Sequence, residues 1–395
     1  MLHAGRDDRG PGHVRRARRP RAQLRRAGAA GWTDVTTPFV DVVIACHDER
    51  RPIERAVASL VQDADVRDVV RVTVVAHGLD PAILEQRLAG IDGDIRVLPF
   101  RDGIRSAAGP FNHGLAAVEA EYCGVMGSDD FLEPGTMSRW IRHVRAERPD
   151  AAIAQIRLQG QTLMPNPLVR LGRRRRLDAA RDRLFYRTAP LGLFRTARMR
   201  ELGLRMLEGV RVGEDFEFGI RLWAQGGRID LLRGAGAYVI GEDAAERTTL
   251  GVMTVSERLE PIVRLFDDGV FADLSPRART ALAVKLIRIT VLGNVQALAE
   301  ELDDEGVIAF AALLRRLLDV APRALLPFNR QDRRILDGLL TDSHALRLRT
   351  DVAASRGAGR RDRWLTPDLV HSFARESTLR RYVLYFCTRE RRSSR

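Results

Sequence analysis

The chain is short of cysteine, aromatic residues and long apolar runs, and each of these shortages closes off a class of protein. Its three cysteines, Cys46, Cys123 and Cys387, are scattered and odd in number, which excludes a disulfide framework and points to reduced thiols. Aromatic residues make up 6% of the chain, too few for base-stacking platforms, and no nucleic-acid-binding motif accompanies its basic segments. Nucleic acid is therefore not an expected partner. No stretch of about 18 uncharged apolar residues occurs, which excludes a membrane-spanning helix. Lys285 and Arg288 interrupt 281–298, and Arg315 and Arg316 interrupt 307–321. The N-terminal segment is rich in arginine but has no apolar centre, so it does not read as a secretory signal and a cytoplasmic location is expected. Lysine is nearly absent beside arginine, a bias of base composition that says nothing by itself about phosphate contacts.

What is present is the apolar content of a globular protein, 45% of 395 residues, enough for one large domain with an appended region or for two domains. The net charge of +13 sits at the two ends. Residues 1–31 hold nine arginines against two aspartates, and residues 346–395 hold thirteen arginines against five acids. The body between them carries 43 basic and 45 acidic residues. The termini alone are thus suited to an anionic surface, and peripheral membrane contact through them is one expectation.

Residues 1–36 lack periodicity and read as a disordered Arg-rich tail. From Val40 onward, apolar β-branched runs alternate with helical patterns. Strands are expected at 42–45, 72–75, 95–100, 122–126 and 151–158. Helices are expected from Pro52, from Asp80-Pro81, over 111–120 and from Pro134. Such alternation predicts a doubly wound, mostly parallel sheet with helices on both faces. Residues 160–183, with the run Arg173-Arg174-Arg175-Arg176, read as a long connection and a candidate flap. The arginine run is a solvated loop or a site for an acidic or lipid-phosphate acceptor. Beyond about residue 252 only helices are expected: 254–267, 276–299, 304–320 and 331–340. The organisation is a tail (1–36), an α/β domain (37–250) and an all-helical C-terminal region with a basic tail (251–395).

Two acidic pairs stand out. Asp129 and Asp130 follow the apolar run 122–126, at the edge of an open parallel sheet where ligands bind. Paired carboxylates there suit a hard divalent cation that bridges to phosphate oxygens. Glu214 and Asp215 open an amphipathic helix. Each pair also has a plain structural account, as turn cap or as helix-dipole partner worth about 0.3–1 kcal/mol.

An ordered set of motifs distinguishes these readings. Ala45-Cys46-His47-Asp48-Glu49 precedes Pro52, and Asn112-His113-Gly114-Leu115 lies on a helix. Gly127-Ser128-Asp129-Asp130 precedes Pro134, Leu193-Phe194-Arg195 precedes a helix, and Gly213-Glu214-Asp215-Phe216 precedes Arg221-Leu222. Over 40–245 this series resembles family 2 glycosyltransferases of the GT-A fold. The resemblance implies a nucleotide-sugar donor and a Mg²⁺ or Mn²⁺ ion at Asp129, with Asp130 assisting. It implies Asp215 as general base of an inverting displacement, with Glu214 orienting the loop or a donor group. Donor contacts are implied for Cys46, His47, Asp48, Glu49, His77, Asn112, Ser128 and Asp129. The acceptor would be a glycan, a lipid-linked sugar or a protein, in polysaccharide or glycoconjugate synthesis. Two positions depart from the family pattern: Ala76-His77-Gly78-Leu79 replaces an Asp-Asp-Gly-Ser strand end whose acid contacts the base, and Gly127 replaces the first acid of the metal motif. Competing readings are a sugar nucleotidyltransferase, which would need a Gly-rich basic loop after the first strand, and a non-catalytic protein of the same fold with basic tails.

Overall fold

A computed structural model describes residues 37–242 and 253–389; the expected disordered tail 1–36 and the basic end 390–395 lie outside the described residues. Eleven strands are described: β1 (Val40–Cys46), β2 (Val70–His77), β3 (Asp94–Phe100), β4 (Tyr122–Gly127), β5 (Phe131–Leu132), β6 (Ala151–Ile153), β7 (Gln155–Leu158), β8 (Leu163–Met164), β9 (Gly192–Arg195), β10 (Ile229–Leu231) and β11 (Ala237–Ile240). Seven form one sheet in the order β10-β6-β9-β4-β1-β2-β3. Within it β1 pairs in parallel with β2 and β4, in register Val40↔Val70 and Val40↔Tyr122, so the strands end together along one edge. The mostly parallel, doubly wound sheet expected from the alternation is present.

Its helices are α1 (Ile53–Val61), α2 (Pro81–Leu88), α3 (Ala108–Ala116), α4 (Thr136–Glu147), α5 (Thr196–Glu201) and α6 (Phe216–Gln225). Alternate residues of β1 serve opposite cores. Val42 and Ile44 join Ile53, Val57, Leu60 and Trp140, while Val43 joins Leu115 and Phe218 in a second cluster. Burial on both faces is why these strands read as continuous β-branched runs, each such side chain contributing about 1.5–3 kcal/mol.

Two features were not legible as simple alternation. β9 runs antiparallel between β4 and β6. Gly192 makes this possible: its φ is +134°, and a Cβ there would fall 2.1 Å from the Ala152 carbonyl oxygen. The expected single strand over 151–158 is instead two, broken at Ala154. β6 stays in the large sheet, and β7 crosses into a four-stranded sheet ordered β5-β11-β7-β8. That small sheet caps the end of β4 and brings Tyr238 to it.

The connection 160–183 is packed down, contrary to the expected flap. Leu168, Val169 and Leu177 are buried, and Arg170 grips the buried Asp182 at 2.7–2.8 Å through two nitrogens. The run 173–176 is exposed, as a solvated loop would be.

The helical region comprises α7 (Val255–Asp267), α8 (Val270–Asp273), α9 (Pro276–Leu286), α10 (Gly293–Ala297), α11 (Asp304–Val320), α12 (Arg330–Thr341), α13 (Ala345–Arg356), α14 (Arg360–Trp364) and α15 (Thr378–Thr388). A π-helical turn, Ile287–Leu292, joins α9 to α10. Ile262, Leu282, Leu286, Phe310 and Leu314 belong to the same buried cluster as Phe218 and Trp223, so this region shares a core with the sheet and both lie in one compact unit. No described helix is long and apolar enough to cross a membrane.

Candidate active site

The parallel strands deliver their C-terminal residues to one edge. At the end of β1 the Cys46 side chain is fully buried, and its thiol donates to the Asp48 carbonyl at 3.5 Å. Burial pushes that thiol up to about 11. It braces the turn from below, so the expected donor contact through its side chain does not hold. His47 is exposed; packing around the ring, then the Arg51 charge, lowers its pKa. Asp48 accepts from the Arg50 guanidinium at 2.7–3.2 Å and from its backbone N–H at 2.9 Å, and these bonds take its pKa to about 2. Glu49 is exposed, with its carbonyl accepting from Arg87. At the end of β2, His77 Nε2 lies 2.8 Å from Asp102 Oδ1, and its ring packs at 5.6 Å against Phe100. Asp102 also accepts from the Ile104 N–H at 2.9 Å. Its pKa falls although burial opposes the shift, because these bonds favour the charged form.

At the end of β4 the two aspartates part company. Asp129 Oδ2 forms an ion pair of 2.8 Å with Arg51 Nη1, both side chains being largely buried. Arg55 donates to the Asp129 carbonyl at 2.5 Å and covers the Phe131 ring. Asp130 faces the small sheet. It accepts from the Tyr238 hydroxyl at 2.5 Å and from the Gly241 N–H at 2.9 Å. Burial raises its pKa to about 6, and the Asp129 charge adds to the rise. Asp130 thereby joins β4 to β11. Ser128, just before the two aspartates, is buried. Gly127 donates its N–H to the Tyr238 oxygen at 3.0 Å, and a Cβ on it would meet Asp130 Oδ2 at 2.6 Å. The acid missing at 127 therefore has no room: the Asp130 carboxylate occupies the space.

Asn112 is also reassigned. Its amide donates to the Met206 carbonyl and to Glu208 Oε1, and its oxygen accepts from the Met206 N–H. It clasps the loop 204–208, whose Leu207 N–H in turn binds the Glu214 carbonyl at 2.7 Å. A cavity of about 350 Å³ lies beside that loop, walled by Glu208, Glu217, Phe218 and Arg221. Neither Asp129 nor Asp215 lines it.

Asp215 occupies the N-cap position of α6 without making a side-chain capping hydrogen bond. Burial, reinforced by the neighbouring Glu214, raises its pKa to about 7. Burial raises Glu214 as well. One cation opposes these effects. Lys285, the only lysine in the chain, reaches in from α9. Its ammonium sits 4.4 Å from the centre of the Phe216 ring, and its charge acts on Asp215. Burial brings the ammonium down to about 8, with Asp215 holding it up.

Residues 41–203 match the model of glycosyl transferase family 2, covering the strand ends from β1 through β9. That matched stretch, 163 of the 395 residues, is what the chain shares with the family. Two curated relatives are the succinoglycan biosynthesis proteins ExoU and ExoO of Rhizobium meliloti (strain 1021). They are 26% and 29% identical, each over 53% of this chain. The matched segment spans 62% and 63% of those relatives' own lengths. Among solved structures, S. aureus TarS 1–349 in complex with UDP-GlcNAc superposes with a TM-score of 0.69 at 16% identity. It covers 80% of this chain and 91% of its own. That likeness concerns the fold, which is GT-A.

The family model ends before Glu214, so the second acidic pair stands on its geometry. Three residues of the site escaped sequence reading. Arg51 was visible as one of two arginines after β1, with nothing to mark its partner. Asp102 lies in a turn beyond β3 and is brought to His77 only by strand order. Lys285 carried one signal, a solitary lysine inside an apolar helix. Among the described residues, no three His, Cys, Asp or Glu side chains converge as a metal site. A hard cation prefers six or more oxygens, so Asp129 fits one only as a single protein ligand completed by a diphosphate and water.

Proposed function

We propose that the enzyme transfers a sugar from a nucleoside diphosphate donor to an acceptor hydroxyl with inversion, in the assembly of a polysaccharide. The observation that carries this reading is the half-buried Asp215 at the head of α6, beside Glu214 and under the charge of Lys285, with its pKa raised to about 7. A general base is most effective with a pKa near the working pH, and such a base contributes about 10²–10⁴-fold. Asp215 takes the proton of the acceptor hydroxyl as the acceptor oxygen bonds to the anomeric carbon. The bond from that carbon to the diphosphate oxygen breaks, and its electron pair leaves with the nucleoside diphosphate.

Asp129 is the residue that would hold a Mg²⁺ or Mn²⁺ ion, whose part is to neutralise charge on the departing diphosphate. Arg51 adds a fixed positive charge beside it. The acid that the family places at the end of the second strand has a neighbour-strand substitute here: Asp102, oriented by His77, offers a carboxylate to the nucleobase or ribose. His47, Asp48 and Glu49 border the same edge. The polysaccharide role is supported by the names of the ExoU and ExoO relatives, and the nucleotide-sugar class by the UDP-GlcNAc complex of TarS.

The test is a thermal-shift and calorimetric screen of UDP-, GDP-, dTDP- and CDP-sugars with Mn²⁺. One class should stabilise the protein, and Asp215→Asn should still bind that donor while losing transfer. Absence of any shift favours a non-catalytic protein of this fold. Retained transfer by Asp215→Asn removes Asp215 as base.

A further inference from the structure

Seven of the thirteen exposed large apolar side chains among the described residues fall within 369–386, and the four exposed aromatic ones are all there. They are carried by the 3₁₀ turn Leu369–Phe373 and by α15, two elements in mutual contact. Val370 is 75% exposed and Phe373 71%. On α15, Tyr382 and Phe386 lie one turn apart with ring centres 6.3 Å from each other, and Tyr382 stands edge-on to Trp364 at 4.5 Å. α15 buries none of its residues, whereas α11 and α12 seat their apolar stripes in the core. A contiguous apolar face of this kind on a folded protein marks an interaction surface.

The charge around it selects the partner. Residues 356–389 hold eight arginines against three acids, and one of those acids, Glu376, is already engaged by Arg183 and Arg381. The Arg375 pKa is lowered, by burial and then by the charges of Arg181, Arg380, Arg277 and Arg170, so cations crowd this side of the molecule. Arg389 lies 4.1 Å over the Phe386 ring. Aromatic side chains that sit at the headgroup level, flanked by arginines, are the equipment of a helix lying in a membrane interface. Two copies of this face meeting each other would oppose like charges.

We propose that residues 369–389 form a docking face for an anionic lipid surface. Phe373, Tyr382 and Phe386 enter the headgroup layer, and the surrounding arginines meet lipid phosphates. Each arginine near such a surface contributes about 1 kcal/mol, an attraction that salt screens.

The test uses the purified full chain and vesicles of phosphatidylcholine, with or without about one phosphatidylglycerol in three. The protein should float with the anionic vesicles, bind neutral ones far less, and dissociate in high salt. Phe373→Ser with Phe386→Ser should weaken binding by about tenfold or more at an unchanged melting temperature. Leu346→Ser, at an exposed position on α13, should leave binding intact. Cys387 is exposed while Cys46 and Cys123 are buried, so a polarity-sensitive dye on Cys387 should shift to the blue with anionic vesicles alone. Failure to bind anionic vesicles overturns the proposal, as does binding that the double variant leaves unchanged. A wild-type dimer that the double variant converts to monomer assigns the face to a second copy and also overturns it.

Discussion

Arg51 Nη1 lies 2.8 Å from Asp129 Oδ2, so the acid proposed for the diphosphate site is held by a guanidinium from the turn after β1. The pair has two consequences for donor binding. It orients Asp129 before any ligand arrives, and it keeps a permanent positive charge where the diphosphate accumulates negative charge. Arg51→Met should therefore weaken binding of the nucleoside diphosphate by about tenfold or more, and raising Mn²⁺ should recover only part of it. Calorimetric titration of the nucleotide with and without Mn²⁺ reads this. Unchanged affinity would leave Arg51 as a brace for Asp129 alone.

The crowding at Gly127 makes a stability prediction. Gly127→Asp restores the acid of the family pattern but drives its Cβ toward Asp130 Oδ2, 2.6 Å away, and sets a third carboxylate beside two others. Overpacking of this sort costs about 1–3 kcal/mol, and the charge repulsion adds to it. Thermal melts should show Gly127→Asp less stable than the parent. Adding Asp130→Ala frees the space and should return part of the loss. A Gly127→Asp variant as stable as the parent would mean that Asp130 swings away freely, which its bonds to Tyr238 and Gly241 oppose.

The large sheet was legible because its central strands are buried on both faces, and that double burial writes an unbroken β-branched run at 42–44 and 72–75. The helices of the C-terminal region were legible by period: α11 and α12 match the expected 304–320 and 331–340 within a residue or so. The break at Ala154 was not, since nothing local distinguishes a strand that changes sheets from one that continues. Asn112 looked like a donor ligand because its motif sits at the right place, yet its partners, Met206 and Glu208, are about ninety residues away in sequence. Separations of 25 and 70 residues likewise hid Asp102 beside His77 and Lys285 beside Asp215. Strand ends can be placed from one sequence; the long-range partner that sets a side chain's charge or direction cannot.

Asp215 should carry a measurable penalty in stability. Its folded pKa, about 7, is above the unfolded value of roughly 3.9, so the folded state binds a proton that the unfolded state has released. The associated stability is full below pH ~4 and is lost as pH rises through about 7. Asp215→Asn removes the titration. Its melting temperature should equal or fall below the parent's at low pH and exceed it at pH ~8. A difference that does not change with pH would show that Asp215 is not the carboxyl with a raised pKa described here.

Lys285 tests whether the helical region tunes the base. The groups facing Asp215 are Glu214 from its own segment and Lys285 from α9, and they act in opposite directions. With Asp215 as base, the rate should fall on the acid side with a midpoint near 7, where the carboxylate takes its proton. Lys285→Met removes the charge that favours the ionised form, so the midpoint should move upward by about one to two pH units. Lys285→Arg keeps the charge and should move it less. The readout is the pH dependence of kcat with the donor saturating, which a purely structural role for Lys285 would leave in place while lowering the melting temperature. A midpoint unmoved in Lys285→Met would detach the ammonium from catalysis and leave it as packing over Phe216.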